Sequence, residues 1–141
     1  MTGQATSDNG VVRITFDNSP PEGRPGVLLG FIEGRDAKAA SRLTRDERMS
    51  QVVECFVRYF GNLAASPNEY IELDWSKEEW TGGCYGAHMA PGTLTSFGPS
   101  LRETTGRIHW AGTESAEVWC GYMDGAVRSG ERAAREILGV L

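Results

Sequence analysis

The sequence predicts an α+β protein, a mixed sheet flanked by helices. Three features point there: a β-branched run near the N-terminus, a helix with a capping box and one apolar face, and a last helix whose apolar face is built from small residues.

In chain order, Val11-Val12-Arg13-Ile14-Thr15-Phe16 is rich in β-branched residues and reads as a strand. It runs into Asp17-Asn18-Ser19-Pro20-Pro21-Glu22-Gly23, a dense turn signal. Gly26 to Ile32 is a short apolar run, the pattern of a strand buried on both faces. A short helix is expected from about Asp36 to Leu43. Thr44, with Glu47 three residues on, forms a capping box for a second helix. Met49, Val52, Val53, Phe56, Val57 and Phe60 share one face of that helix, and Gly61 stops it. Cys55 lies within it and reads as a packing residue.

Tyr70 to Trp75 is a third strand candidate, followed by a loop dense in glycine and aromatics from Trp80 to Phe97. Arg107-Ile108-His109-Trp110-Ala111 reads as a fourth strand, ending at Gly112. The last helix should begin near Gly121 or Tyr122 and run to about Leu138, with Gly139 as its stop. Its expected apolar face is Met123, Ala126, Val127, Gly130, Ala133, Ala134, Ile137 and Leu138.

With 141 residues, the chain can bury a real core. Fourteen Lys and Arg against nineteen Asp and Glu give a net charge of -5, which argues against nucleic acid or anionic lipid as a partner. No apolar stretch approaches the roughly 20 residues needed to cross a bilayer. The first ten residues are polar and unlike a signal peptide, so a cytoplasmic location is expected. Three cysteines without CxxC spacing and two histidines make a disulfide framework and a metal site poor readings. Cys120 is expected to pack, and His88 and His109 to be structural.

Two stretches carry the chemistry. One is Trp80-Thr81-Gly82-Gly83-Cys84-Tyr85 with Pro91-Gly92 beyond it; the other is Trp110-Ala111-Gly112-Thr113-Glu114 with Trp119 to Ala126. Taken alone, each has a bland reading as a turn, a cap or a buried aromatic. Yet a strand ending in Ala-Gly, then a loop, then a helix opened by glycine delivers free amides and a positive dipole end to one point. Such a start can hold a phosphate or the electron-rich pyrimidine edge of a reduced flavin. Cys84, beside two glycines, is either a nucleophile or a small hydrophobe.

Together, these stretches resemble the flavin-containing monoamine oxidase family. Ser129-Gly130-Glu131-Arg132-Ala133-Ala134, Pro21-Glu22-Gly23, Leu29-Gly30-Phe31 and Leu43-Thr44 through Arg48 extend the resemblance over nearly the whole chain, in the family's order. What the resemblance implies is an FAD-dependent oxidase of small amines. Cys84 matches the cysteine that carries the flavin as a thioether in several members, while many relatives hold it non-covalently; both remain open. Tyr85 and Tyr122 match two aromatics that guide the amine to the flavin. Gly112, Thr113 and Glu114 match the segment along the ribityl and pyrophosphate. Gly121, Tyr122 and Met123 open the helix that meets the flavin's N1–C2 carbonyl edge, and Trp75 matches a tryptophan on the dimethylbenzene side. In domain terms, residues 1–106 would be part of a substrate-binding domain, with a flavin-facing loop at 80–97. Residues 107–141 would supply the C-terminal strand and helix of an FAD-binding domain.

The chain also departs from the family pattern. It has no GxGxxG after an N-terminal strand, and Lys38 and Lys77 do not match the family's lysine near flavin N5. The expectation is therefore a C-terminal piece that lacks the N-terminal FAD-binding half, is inactive alone, and is prone to self-associate into a homo-oligomer through its uncovered apolar faces. The alternative is a stand-alone α+β module that pairs with a partner and does no redox chemistry.

Overall fold

The computed structural model describes residues 3–140. It divides into two compact units, Met1–Asp74 and Trp75–Leu141, each with its own way of burying surface.

In the first unit, strands β1 (Ala5–Thr6), β2 (Ile14–Asp17) and β3 (Leu28–Phe31) form one sheet in the order β1-β2-β3. Both pairings are antiparallel, with Ile14 opposite Phe31 and Asp17 opposite Leu28. The expected mixed sheet is thus an antiparallel one. The reason is local: the turn after Asp17 closes a hairpin, which a parallel pair cannot use. Asp17 Oδ1 accepts from the Ser19 amide (2.9 Å), and Ser19 Oγ accepts from the Val27 amide (2.9 Å), fastening the loop across its base.

Two strand boundaries shift. Val11 and Val12 precede β2 rather than belonging to it, although Val12 is fully buried. The run from Gly26 to Ile32 is not buried on both faces, since Leu28 and Leu29 remain 37% and 38% exposed. The exposure falls at the start of edge strand β3, whereas Gly30 and Phe31 at its end are partly covered. There Gly30 is required by space: a Cβ would stand 2.7 Å from Val12 Cγ1 and 3.2 Å from the Phe56 ring.

Helix α1 spans Gly34–Ala40, earlier than expected, and helix α2 spans Arg45–Phe60. The Thr44–Glu47 capping box forms in both directions: the Glu47 amide donates to Thr44 Oγ1 (3.3 Å), and the Thr44 amide donates to Glu47 Oε2 (2.7 Å). At the other end Gly61 adopts φ 86° and its amide reaches the Val57 carbonyl (2.8 Å), so the stop falls where expected. Val52 and Cys55 pack with Val12, and Val11, Ile32, Phe56, Tyr59 and Tyr70 close around them. Cys55 is a packing residue.

Tyr70 to Trp75 is not a strand. Side chains of α2 hold this segment instead. Arg45 donates to the Tyr70 carbonyl (2.6 Å) and stacks over its ring at 5.2 Å, while Arg48 forks onto Glu72. The Arg48 guanidinium holds the Glu72 carboxyl below the usual carboxylate range. Burial pushes the Tyr70 phenol up to about 12, and its bond to Glu72 adds to the shift.

The second unit contains helix α3 (Thr93–Phe97), helix α4 (Met123–Val140) and short 3₁₀ turns at Trp75–Lys77, Pro99–Leu101 and Thr113–Ser115. The strand expected at 107–111 does not form; a single bridge joins Thr105 and Ile108. A strand needs a neighbouring strand for its amides and carbonyls, and among the described residues none lies beside this segment. Helix α4 continues through Gly139, which is therefore not its stop. Its buried stripe is Gly125, Ser129 and Ala133, a turn apart, so that Ala133 alone of the apolar face read from the sequence is buried among the described residues. Met123, Val127 and Leu138 on that apolar face are 88%, 62% and 72% exposed.

Candidate functional site around the start of helix α4

The site grows from one hydroxyl. Thr113 Oγ1 accepts from the Gly121 amide (2.7 Å) and donates to the Tyr122 carbonyl (2.9 Å), tying the Gly112–Glu114 turn to the residues that open α4. The Ala126 amide makes the first helical bond, back to the Tyr122 carbonyl (3.2 Å). The amides of Met123, Asp124 and Gly125 thus have no carbonyl behind them within the helix, and with the dipole they make its start electropositive.

Trp119 sits against this start in the left-handed region, at φ 59°, a conformation that costs a bulky residue on the order of 1–3 kcal/mol. Its carbonyl accepts from the Tyr122 amide (3.0 Å), and its ring meets Tyr122 edge-on with centroids 5.6 Å apart. Gly125 makes room for the turn, because a Cβ there would stand 2.2 Å from the Trp119 carbonyl oxygen. Trp119, Tyr122, Met123 and Asp124 line an open depression at the helix start.

Beneath the turn, polar side chains of α4 replace a strand partner. Ser129 Oγ accepts from the Gly112 amide (2.9 Å) and donates to the Ala126 carbonyl (2.8 Å). Arg132 donates to the Trp110 carbonyl (2.7 Å) and pairs with Glu136, whose other oxygen meets His109 Nδ1 at 3.0 Å. His109, with Arg132 behind it, keeps the Glu136 carboxyl below its ordinary range. His109 is therefore a structural residue, as expected.

Among the expected site residues, Gly112, Thr113, Gly121, Tyr122 and Met123 come together here, with Glu114 in the same turn. Trp75 begins a 3₁₀ turn and is half exposed; Cys84 and Tyr85 lie in the glycine-rich loop, both exposed. None of the bonds just described reaches these three. Their peptide bond, Cys84–Tyr85, is cis, which no residue pattern announced. Cys120, expected to pack, is exposed, because the Trp119 turn carries it outward. Trp119, Ser129 and Arg132 stand in stretches that the sequence singles out, but it assigns none of them a role of its own in the site. A signal existed for the first, since a glycine in a helix's opening turn, as at Gly125, marks a close backbone approach. Among the described residues no three metal-ligating side chains gather, and no helix is long and apolar enough to cross a membrane.

The family model of flavin containing amine oxidoreductases matches residues 2–138. AofH of Mycobacterium tuberculosis is 46% identical over 99% of this chain, and flavin-containing amine oxidase B of Homo sapiens is 45% identical over 90%. This chain spans only 30% and 25% of those two proteins. Among solved structures, wild-type putrescine oxidase bound to putrescine superposes with a TM-score of 0.88 at 34% identity, over 98% of this chain and 31% of that one. Cyclohexylamine oxidase from Brevibacterium oxydans does so at 0.86 and 37%, over 96% and 30%. A family model matched over residues 2–138 leaves one assignment: the chain belongs to the flavin-containing amine oxidoreductase family.

Proposed function

We propose that this chain is the C-terminal part of an FAD-dependent amine oxidase that converts a primary or secondary amine to an imine, and by hydrolysis to an aldehyde. The observation that carries this reading is the Thr113 junction. One hydroxyl brings the Gly112–Glu114 turn, Gly121 and the opening of α4 to a single point.

The residues present fit the ring end of a flavin. Gly82, Gly83 and Gly121 all have positive φ and no atom within 4 Å of where a Cβ would stand, so a flat ring can approach the bare backbone. The amides at the start of α4 suit an electron-rich carbonyl edge and favour added negative charge on it. For the adenosine end the chain offers no glycine-rich βαβ turn, so in this reading that end would be held by residues outside this chain. Residues 1–106 fall in the substrate-side domain of this reading, and residues 107–141 in the FAD-binding domain.

Bound FAD would supply the two-electron oxidation of a C–N bond, with oxygen reduced to hydrogen peroxide. The chain's own contribution is to bind and orient. Tyr85 and Tyr122, 76% and 64% exposed, offer electron-rich faces past which an amine travels. Thr113 and Gly121 fix the height of Tyr122 above the helix start. Trp75 and Glu114 complete the cofactor-facing set, and Cys84 would carry the thioether in the covalent form of this reading.

The test is to express the longer gene product, denature it and follow flavin absorbance. Colour that stays on a peptide containing Cys84 supports both the family chemistry and the covalent role of the thiol. Flavin released on denaturation keeps the oxidase and removes the covalent bond. A longer product without flavin overturns the proposal in favour of an interaction module. The 141-residue chain alone should produce no amine-dependent peroxide, because half the cofactor site is not in it.

A further inference from the structure

We propose that Ser129 and Arg132 are positioning residues: from one face of α4 they set the Trp110–Ser115 backbone at the height where the Gly112–Glu114 turn and the first amides of α4 face one FAD, the turn along its ribityl and pyrophosphate and the amides at its ring. The inference rests on the FAD reading above and adds residues that do not touch the ring.

The geometry begins with a segment that has the sequence of a strand and no strand beside it among the described residues. Its polar backbone groups still need partners. Two come from α4: Ser129 Oγ accepts from the Gly112 N–H, and Arg132 donates to the Trp110 carbonyl. Ser129 is 2% exposed, and its hydroxyl is used both as acceptor and as donor. It is thereby fixed in orientation, its one donor spent within α4 and the residue closed off from solvent. Arg132 is held in turn by Glu136, and Glu136 by His109 of the same segment, so the segment is gripped at 109, 110 and 112 by a single helix.

That helix also carries the amides of the candidate site on its first turn. Ser129 lies six residues beyond Met123, about 9 Å along the axis at 1.5 Å per residue. The helix therefore acts as a ruler between its own start and the turn it grips. Thr113 fastens the near end of the same span. Removing a grip beneath Gly112 releases the turn relative to the amides, without altering any group that would meet the ring. The stripe Gly125, Ser129 and Ala133 is small enough for the segment to lie this close.

A pair of variants of equal size isolates the hydroxyl. Ser129→Thr keeps it and Ser129→Val does not, so packing errors from the added methyl are common to both. In the longer, flavin-loaded gene product, the Val variant should release FAD about tenfold faster than the Thr variant, the worth of one backbone hydrogen bond, and shift the flavin's visible absorption bands. Arg132→Lys keeps a cation for Glu136 but loses the second arm to Trp110, and should shift the bands in the same direction. In the 141-residue chain itself, the Gly112 amide should exchange with solvent faster in Ser129→Val than in Ser129→Thr.

Equal FAD release and equal spectra in the Thr and Val variants would overturn the proposal, whether both resemble the parent or both lose flavin. An unshifted Arg132→Lys spectrum removes Arg132 from it. A longer product that binds no FAD sinks the functional reading and the flavin part of this inference together. The Gly112 exchange comparison would then still decide whether the grip itself exists.

Discussion

The two units solve the same problem by opposite means. In Met1–Asp74 the buried positions include Val12, Val52 and Cys55, around which aromatic residues close, so water is excluded by apolar bulk. In Trp75–Leu141 the buried side chains among the described residues are Ser115, Ala116, Ser129 and Ala133, while Trp80, Tyr85, Met123 and Leu138 stay exposed. Burial of apolar area is worth about 25 cal/mol per Å², and small side chains offer little of it. The second unit is held by hydrogen bonds whose net worth is only about 1 kcal/mol each. A region that keeps its large apolar groups outward while spending polar contacts on backbone geometry is built to present a surface. The first is built to be stable.

The strongest way to break this contrast is Val12→Ala. The loss of two methyl groups at a fully buried site should cost about 2–3 kcal/mol in denaturant unfolding of the first unit, leaving amide protection at Gly112 unchanged. A parallel loss of Gly112 protection would mean that the units do not differ as described. Next is Thr44→Ala, which removes the capping box of α2 and should cost about 1 kcal/mol, read as earlier melting of that helix by circular dichroism.

The pH response follows with a graded and smaller effect. The Glu72 carboxyl is held below its unfolded value of 4.5, so its contribution is complete above that pH and fades as acid carries the solution down through the folded value. Tyr70 runs the other way: raised from 10.0 to about 12, its phenol stabilises fully below pH 10 and loses that effect as pH climbs through 12. The unfolding stability of the first unit, read in denaturant between roughly pH 3 and 12, should therefore fall off at both ends. In an Arg48→Met variant the acid limb should retreat toward pH 4.5. The smallest effect belongs to the second unit. Leu138→Ser, at a 72% exposed position, should change the stability of this chain by no more than about 0.5 kcal/mol in the same unfolding assay. A large loss there would show the apolar face of α4 to be covered already, for instance by a second copy of the chain.

What could be read from sequence follows the same division between self-sufficient and dependent structure. Helix α2 was legible to the residue because a helix satisfies its own amides, and Thr44, Glu47 and Gly61 encode its two ends locally. The segments at 70–75 and 107–111 carry strand-like residues, but pairing is a property of a neighbour, which composition does not contain. Arginines on a helix hold both: Arg45 at Tyr70 and Arg132 at Trp110. The buried stripe of α4 was misread for a related reason. Hydrophobicity ranked Met123 and Leu138 above Ser129, yet the segment packed on the helix brings amides and carbonyls, and a hydroxyl answers those better than a methyl. Of the candidate site, the Thr113 turn and the stretch from Trp119 to the start of α4 were visible as motifs; for the strain at Trp119 the one sign was Gly125.

The grip of Arg132 on Trp110 also bears on assembly kinetics. Fixing a free residue's backbone costs about 1–2 kcal/mol in entropy, normally met at the moment two strands join. Between His109 and Gly112 that loss is already incurred, drawn from the folding of α4 rather than from the encounter. A strand arriving from elsewhere would meet a rail in place of a loose thread, and its pairing would be limited by how fast it arrives.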